Sequence, residues 1–252
     1  MTRTGRFEES FFVAPEGIGE EEIEISGTEA RHISVVLRRR PGDLLAVVDG
    51  RGGRYKAEIA EADPGRVTAR ITHRERVECP KPEIWLGLAL IRTSRMDTAV
   101  EKCCELGARV IAPLRTRRSL SAKGVSEQRV ARWQRLAVSA LTQSSGAFLA
   151  EVQRPSSLQE FLERAGRDSK VFLADPSGKP MHAVRASELE GPRIAGCVGP
   201  EGGFCPEEIE LLLRFGAVPV SLGPRRLRTE TAAMCLLDRL MCLTEGPKPG
   251  ED

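Results

Sequence analysis

Val198-Gly199-Pro200-Glu201-Gly202-Gly203-Phe204, followed about twenty residues later by Ser221-Leu222-Gly223-Pro224-Arg225-Arg226-Leu227-Arg228-Thr229-Glu230-Thr231-Ala232-Ala233, decides how this chain is read. Each stretch runs from an apolar strand through a glycine-bearing turn into a helix start, the place where α/β proteins hold ligands. Two such turns so close together predict one shared pocket.

The first turn leaves backbone N–H groups uncovered at its glycines, with Pro206 at the first position of the next helix and Glu207 and Glu208 at its positive end. Those carboxylates disfavour a phosphate there. No Gly-Lys-Ser/Thr follows, and the spacing is not that of the GxGxxG dinucleotide fingerprint. Such a loop suits a neutral or zwitterionic ligand carrying an adenine-like ring. In the second turn Arg225, Arg226 and Arg228 crowd together just ahead of Thr229-Glu230-Thr231. Three guanidiniums side by side repel unless an anion or a carboxylate answers them. Glu230 is expected to answer one, and an anionic or carbonyl-bearing ligand the others. Leu222 and Leu227 stand ready to sandwich a planar ring.

Working outward, apolar runs at Ile84–Leu90, Val110–Leu114, Val171–Ala174, Ile194–Val198 and Val218–Leu222 alternate with helical patterns. One helix carries Met96, Val100, Cys103 and Leu106 on a single face and ends at Gly107; a longer one spans roughly Ser126–Ser144 with Val130, Trp133, Ala137 and Leu141 inward. Two more are expected over Pro206–Phe215 and Thr229–Leu243. This rhythm predicts an α/β domain with a mostly parallel sheet. Cys79-Pro80-Lys81-Pro82 marks a linker, since two prolines in three residues remove backbone donors. Before it, residues 44–49, 54–60 and 66–71 are short strands separated by glycine turns and read as a small β-barrel. A helix is expected over Thr28–Leu37, capped by Thr28, with Ile33, Val36 and Leu37 on one face. The predicted domains are residues 1–78 and 79–252.

Composition narrows the function classes. Among 252 residues the net charge is only +2, yet residues 81–160 carry 13 Lys+Arg against 7 Asp+Glu, which makes the middle of the chain the place for a phosphate-rich partner. Arg115, Arg117, Arg118 and Lys123 form its densest stretch, and Arg38, Arg39 and Arg40 a second cluster; both are expected to contact such a partner. Seven cysteines show no CxxC pair and no zinc spacing, so no metal is expected and the thiols read as reduced. Neither a signal peptide nor a membrane span is apparent, and the expectation is a soluble, cytoplasmic protein with no membrane partner.

Taken together, Gly199-Pro200-Glu201-Gly202-Gly203-Phe204 with Leu222-Gly223-Pro224-Arg225-Arg226-Leu227-Arg228-Thr229-Glu230-Thr231-Ala232 resembles the signature of the RsmE family, methyltransferases of the SPOUT superfamily. Met96-Asp97, Glu101-Lys102 and Glu105-Leu106-Gly107 are similar to the family's ELG helix, and Arg132-Trp133 with Gln143-Ser144-Ser145-Gly146 to its RW…QSG helix. His32, Val36-Leu37-Arg38 and Pro41-Gly42-Asp43 resemble its HxxxVLR…PGD element. Two positions depart: Ala147 stands where many members have arginine, and Arg226 where isoleucine is usual.

The resemblance implies a PUA-like N-terminal β-barrel joined to a SPOUT domain with a C-terminal trefoil knot. It implies S-adenosyl-L-methionine as cofactor, held by loops after Leu173, Val198 and Leu222. Leu173, Gly199, Glu201, Gly202, Gly203, Leu222, Gly223 and Leu227 are then cofactor contacts. The implied reaction is methylation of uracil N3 in 16S ribosomal RNA, at uridine 1498 in the standard numbering, within the small ribosomal subunit. The implied working form is a homodimer with the RNA site across its interface. Chemistry at N3 asks for stabilisation of a uracil anion, for which arginine is suited; Arg225 or Arg228 is expected to supply it, with Glu230 orienting a guanidinium. His32, His73 and His182 carry no mark of a general base. The rival readings are a non-catalytic RNA-binding or assembly factor on the same frame, and a Rossmann-like nucleotide enzyme, which the Arg92-Thr93-Ser94 after the first α/β strand disfavours.

Overall fold

The computed structural model describes residues 10–119 and 125–245. The chain divides into two compact units, Met1–Cys79 with Val138–Leu149, and Pro80–Ala137 with Ala150–Asp252.

In the first unit, β1 (Ser10–Phe12), β2 (Glu22–Ser26), β3 (Leu44–Val48), β4 (Gly53–Ala62) and β5 (Arg66–Arg76) form one mixed sheet in the order β1-β3-β4-β5-β2. The period-2 pattern sets its inner face. Ile23 and Ile25 of β2 lie opposite Ala69 and Val67 of β5, and all four are buried with Leu45, Val47, Ala57 and Ile59. Asp63-Pro64-Gly65 makes the β4–β5 turn as expected, closed by paired backbone hydrogen bonds between Asp63 and Arg66. The expected helix over Thr28–Leu37 is different. α1 (Gly27–Arg31) passes into a π-helical turn, His32–Val36, in which the Leu37 N–H donates to the His32 carbonyl at 2.9 Å. Ser26, not Thr28, occupies the cap position, and its side chain makes no capping bond. Ile33 is buried but Val36 is 63% exposed, because i→i+5 winding takes residues three apart off the shared face that an α-helix gives them.

In the second unit, β6 (Glu83–Ala89), β7 (Val110–Arg115), β8 (Glu151–Val152), β9 (Ser156–Ser157), β10 (Lys170–Pro180), β11 (Arg193–Val198) and β12 (Val218–Ser221) form an all-parallel sheet. Its order is β12-β10-β11-β6-β7-β8, with β9 also paired to β7. The continuous apolar runs of β6 and β11 are buried, as central parallel strands require. α2 (Thr93–Glu105), α3 (Glu127–Gln143), α5 (Pro206–Arg214) and α6 (Thr229–Glu245) fall where the periodicity placed them. Met96, Val100 and Cys103 are buried on α2, but Leu106 is 37% exposed because it lies past the last turn, where the chain reverses and the Ala108 N–H bonds back to the Cys103 carbonyl. α6 buries Ala233, Leu236, Leu237 and Leu240 and packs on α2, β6 and β11.

One helix escapes the sequence reading, α4 (Leu158–Ala165), too short for a clear period. Its signal was a capping box: the Glu160 N–H donates to Ser157 Oγ at 3.2 Å while the Ser157 N–H donates to the Glu160 carboxylate at 2.7 Å. That carboxyl is held below its usual range first by the Ser157 backbone bond. No helix among the described residues is long and apolar enough to cross a membrane.

Asp97 ties α2 to α3. Its carboxylate accepts from Trp133 Nε1 at 2.9 Å and Arg132 Nε at 2.8 Å, with Arg129 3.5 Å away. Partial burial pushes the carboxyl up, but the bonds from Arg132 and Trp133 outweigh it and leave it below the usual range. Asp97→Ala strands the indole N–H of a side chain that is only 2% exposed, so a loss of about 1–3 kcal/mol in urea-unfolding stability is expected. A carboxyl lowered on folding stabilises above its unfolded pKa and ceases to do so as pH falls through the folded value. The gap between wild type and variant should therefore close on acidification below roughly pH 4.

Candidate active site

Three loops line one cleft, one within β10 and the others at the C-terminal ends of β11 and β12. The first is an excursion within β10. Ala174 and Lys179 both face Val220 of β12, so residues 175–178 leave the ladder and bring Asp175 and Pro176 to the cleft. Asp175 Oδ1 is occupied by the Ser177 N–H and hydroxyl at 2.8 and 2.6 Å.

The second loop, residues 199–205, is a tight turn in which the Gly203 N–H donates to the Pro200 carbonyl at 2.8 Å. Gly203 has φ +70°, a conformation that disfavours any side chain. Gly199 is required for another reason: a Cβ there would lie 3.1 Å from both the ring and the backbone nitrogen of Phe204. Glu208 finishes the turn, taking the Cys205 N–H on one oxygen and the Arg117 N–H on the other, each at 2.8 Å. The carboxylate expected to repel phosphate thus caps α5. The strand leading in ends at Cys197-Val198, where burial pushes the Cys197 thiol up to about 12 and removes it as a nucleophile near neutral pH.

The third loop, residues 222–228, is bound to the second. Thr229 Oγ1 donates to the Gly199 carbonyl at 3.1 Å, and the Arg226 guanidinium donates to the Glu201 carbonyl at 2.9 Å. Arg226, the residue out of pattern, is therefore a strap between the two turns. A second strap comes from α2, where Arg95 meets the Glu201 carboxylate at 2.9 Å and Glu230 at 3.7 Å. Sequence reasoning missed Arg95, and nothing local marks it. It also corrects the role expected of Glu230: this carboxylate is buried and faces Arg95 rather than Arg225 or Arg228, and its other oxygen is buried without a hydrogen-bond partner.

Of the expected contacts, Gly199, Glu201, Gly203, Leu222, Gly223 and Leu227 line the cleft, joined by Val198, Phe204, Thr229 and Ala232. Leu173 is buried in β10 just before Ala174, and the Gly202 carbonyl is turned to the Arg118 guanidinium at 2.7 Å. Arg225 lines the cleft, whereas Arg228 is exposed and does not. Neither makes an ion pair or side-chain hydrogen bond with a described residue.

The residues expected to meet RNA fare unevenly. Arg118 also donates to the Phe204 carbonyl at 3.3 Å, so its side chain is committed to the second loop. Arg115 and Arg117 are at the end of β7 and just beyond it. Arg38, Arg39 and Arg40 are all exposed, Arg38 with φ +55° at the exit of the π-turn. Lys123 lies outside the described residues. Among the described residues there is no cluster of three or more His, Cys, Asp or Glu able to hold a metal.

Residues 77–241 match the RNA methyltransferase domain family and residues 25–72 the RNA methyltransferase PUA domain family. The chain is 34% identical to ribosomal RNA small subunit methyltransferase E of Synechocystis, over 92% of this chain and 77% of that one. The Bacillus subtilis protein of the same name is 29% identical, over 88% and 90% respectively. A crystal structure of ribosomal RNA small subunit methyltransferase E from Neisseria gonorrhoeae bound to S-adenosyl methionine superposes with a TM-score of 0.83 at 27% identity, over 93% of this chain and 97% of that one.

Proposed function

We propose that this chain, which belongs to the ribosomal RNA small subunit methyltransferase E family, binds S-adenosylmethionine in the three-loop cleft and methylates uracil N3 of 16S ribosomal RNA, at uridine 1498 in the standard numbering. The observation that carries the reading is the convergence of the two glycine turns on one cleft, strapped together by Thr229–Gly199 and Arg226–Glu201.

The cleft's residues fit that cofactor. Val198, Leu222 and Leu227 offer apolar surface to a planar ring, and Glu201 and Asp175 offer carboxylates to a cation. The open glycine backbone offers hydrogen bonds without side chains in the way. When bound, S-adenosylmethionine supplies an electrophilic methyl group. The protein's own tasks are to orient the base and to stabilise the charge left when N3 loses its proton. Arg225, at the cleft, is better placed than Arg228 to meet the uracil carbonyls. Glu230 acts through Arg95 on Glu201, so both are positioning residues.

Two further features belong to this reading. The family resemblance implies a trefoil knot in the segment from β10 to α6, a reading supported by α6 following the edge strand β12 yet packing on central β6 and β11, with its first residue bonded to the loop after β11. Knots are rare enough that the threading itself would mark the superfamily. The working form is a cytoplasmic homodimer acting on the small subunit, with a PUA-like domain over residues 1–78 and the methyltransferase domain over 79–252, less the Val138–Leu149 segment that groups with the first unit.

Calorimetric titration tests the cofactor: one S-adenosylmethionine per chain is expected, and no binding would overturn the assignment. Arg95→Ala should weaken that binding about tenfold by freeing Glu201, while Arg95→Lys recovers part of it because the charge, but not the fork, is kept. An unchanged affinity in Arg95→Ala would show that the strap does not position the loop.

A further inference from the structure

Beside the cleft, along the third loop, lies a second groove. His182, Arg225, Arg226 and Arg239 line it together, and none of the described residues lining it is acidic. Arg239 comes from the middle of α6 and His182 from the short 3-10 turn Met181–Ala183 after β10, so the cluster is assembled by the fold from segments distant in sequence. Arg225 and Arg239 have no partner among the described residues. Arg226 donates only to a neutral carbonyl, that of Glu201. Among the described residues nothing neutralises these three guanidinium charges, an arrangement that repels itself until an anion enters.

Position identifies the anion. Pro176, Gly223, Arg225 and Arg226 line both this groove and the cleft, so the two are continuous. Whatever anion sits in the groove is adjacent to what occupies the cleft. The basic stretch after β7 is a poorer grip, since Arg118 is already spent on the carbonyls of Gly202 and Phe204. Resting on the methyltransferase reading, we infer that this groove binds the phosphodiester backbone of the RNA beside the target nucleotide, with Arg239 and His182 as phosphate-binding residues. The backbone contacts fix where the strand lies, and the base reaches past Arg225 into the cleft.

The test uses the full chain and two probes, small ribosomal subunits lacking the modification and a labelled single-stranded RNA of the target region. Arg239→Glu and His182→Ala are compared with wild type, and Arg167→Glu, an exposed arginine in the connection after α4, controls for overall charge. Arg239→Glu is expected to weaken RNA binding about tenfold and to flatten the slope of log affinity against log salt by about 0.7 for each single-strand phosphate no longer neutralised. His182→Ala weakens it less, and Arg167→Glu leaves the slope unchanged. S-adenosylmethionine affinity and melting temperature stay at wild-type values in all three. Several results would overturn the inference: an RNA slope unmoved by Arg239→Glu; a fall in cofactor affinity, which would make the groove a cofactor carboxylate site; or dissociation of an oligomer on charge reversal, which would make it a protein interface. If wild type binds cofactor but neither binds nor methylates RNA, the methyltransferase reading itself fails, an outcome separable from failure of the groove alone.

Discussion

Gly199→Val is expected to raise the dissociation constant for S-adenosylmethionine by about 10- to 100-fold and to take methyl transfer down with it. The first added carbon would already stand 3.1 Å from the Phe204 ring and 3.2 Å from the Gly203 carbonyl carbon. Valine's two methyls extend further into the same space, and the turn has to open. Overpacking strain of this kind amounts to about 1–3 kcal/mol, and each 1.4 kcal/mol is about tenfold in affinity. The Gly199 carbonyl is also the acceptor for Thr229, so an opened turn loosens the start of α6. Gly202→Ala is the internal comparison. Its Cβ would meet only the Arg118 side chain at 3.4 Å, an ordinary contact, and its effect should be much smaller. Calorimetry on both variants, with melting curves to confirm folding, decides the point; equal effects would show that the site is not sensitive to the shape of this turn.

The second large effect separates two arginines that the sequence could not tell apart. Arg225→Ala is expected to lower kcat by about 10²-fold, the loss typical of removing one preorganised donor from a developing anion, with cofactor affinity reduced far less. Arg228→Ala, whose exposed side chain does not line the cleft, should change kcat only a few-fold. Single-turnover methylation at saturating cofactor measures the chemical step directly. A large loss in Arg228→Ala with little in Arg225→Ala would reverse the assignment.

The comparison of these arginines shows where sequence reasoning stops. The parallel strands were legible because buried strands need uninterrupted apolar runs, and Ile84–Leu90 and Ile194–Val198 have little other use. The glycine turns were legible because close backbone approach excludes side chains at Gly199. Neither argument reaches partners distant in sequence. Glu230 looked like the counter-charge for its neighbours, but the helix start at Thr229 turns it toward Arg95, 135 positions earlier. Val36 looked inward because α-helical spacing was assumed, and the π-turn at His32–Val36 broke that spacing. Arg118 looked free for RNA because its acceptors are backbone carbonyls, which leave no trace in residue type. Arg226 is the same case in reverse: read as a departure, it turned out to strap the loops. His182, unmarked in sequence, gained its neighbours only through the return of β10 and the passage of α6.

The proposed methyl-donor site is the pair of strapped glycine turns, in an enzyme acting on uracil N3. Purified small ribosomal subunits lacking the modification, incubated with this protein and S-adenosylmethionine and then digested to nucleosides for mass spectrometry, test it most directly. One uridine per subunit methylated at N3 is expected, with far less formed by Gly199→Val at matched enzyme and sub-saturating cofactor concentration. A 2′-O-methylated nucleoside, or no methylated product from a protein that binds S-adenosylmethionine, would contradict it.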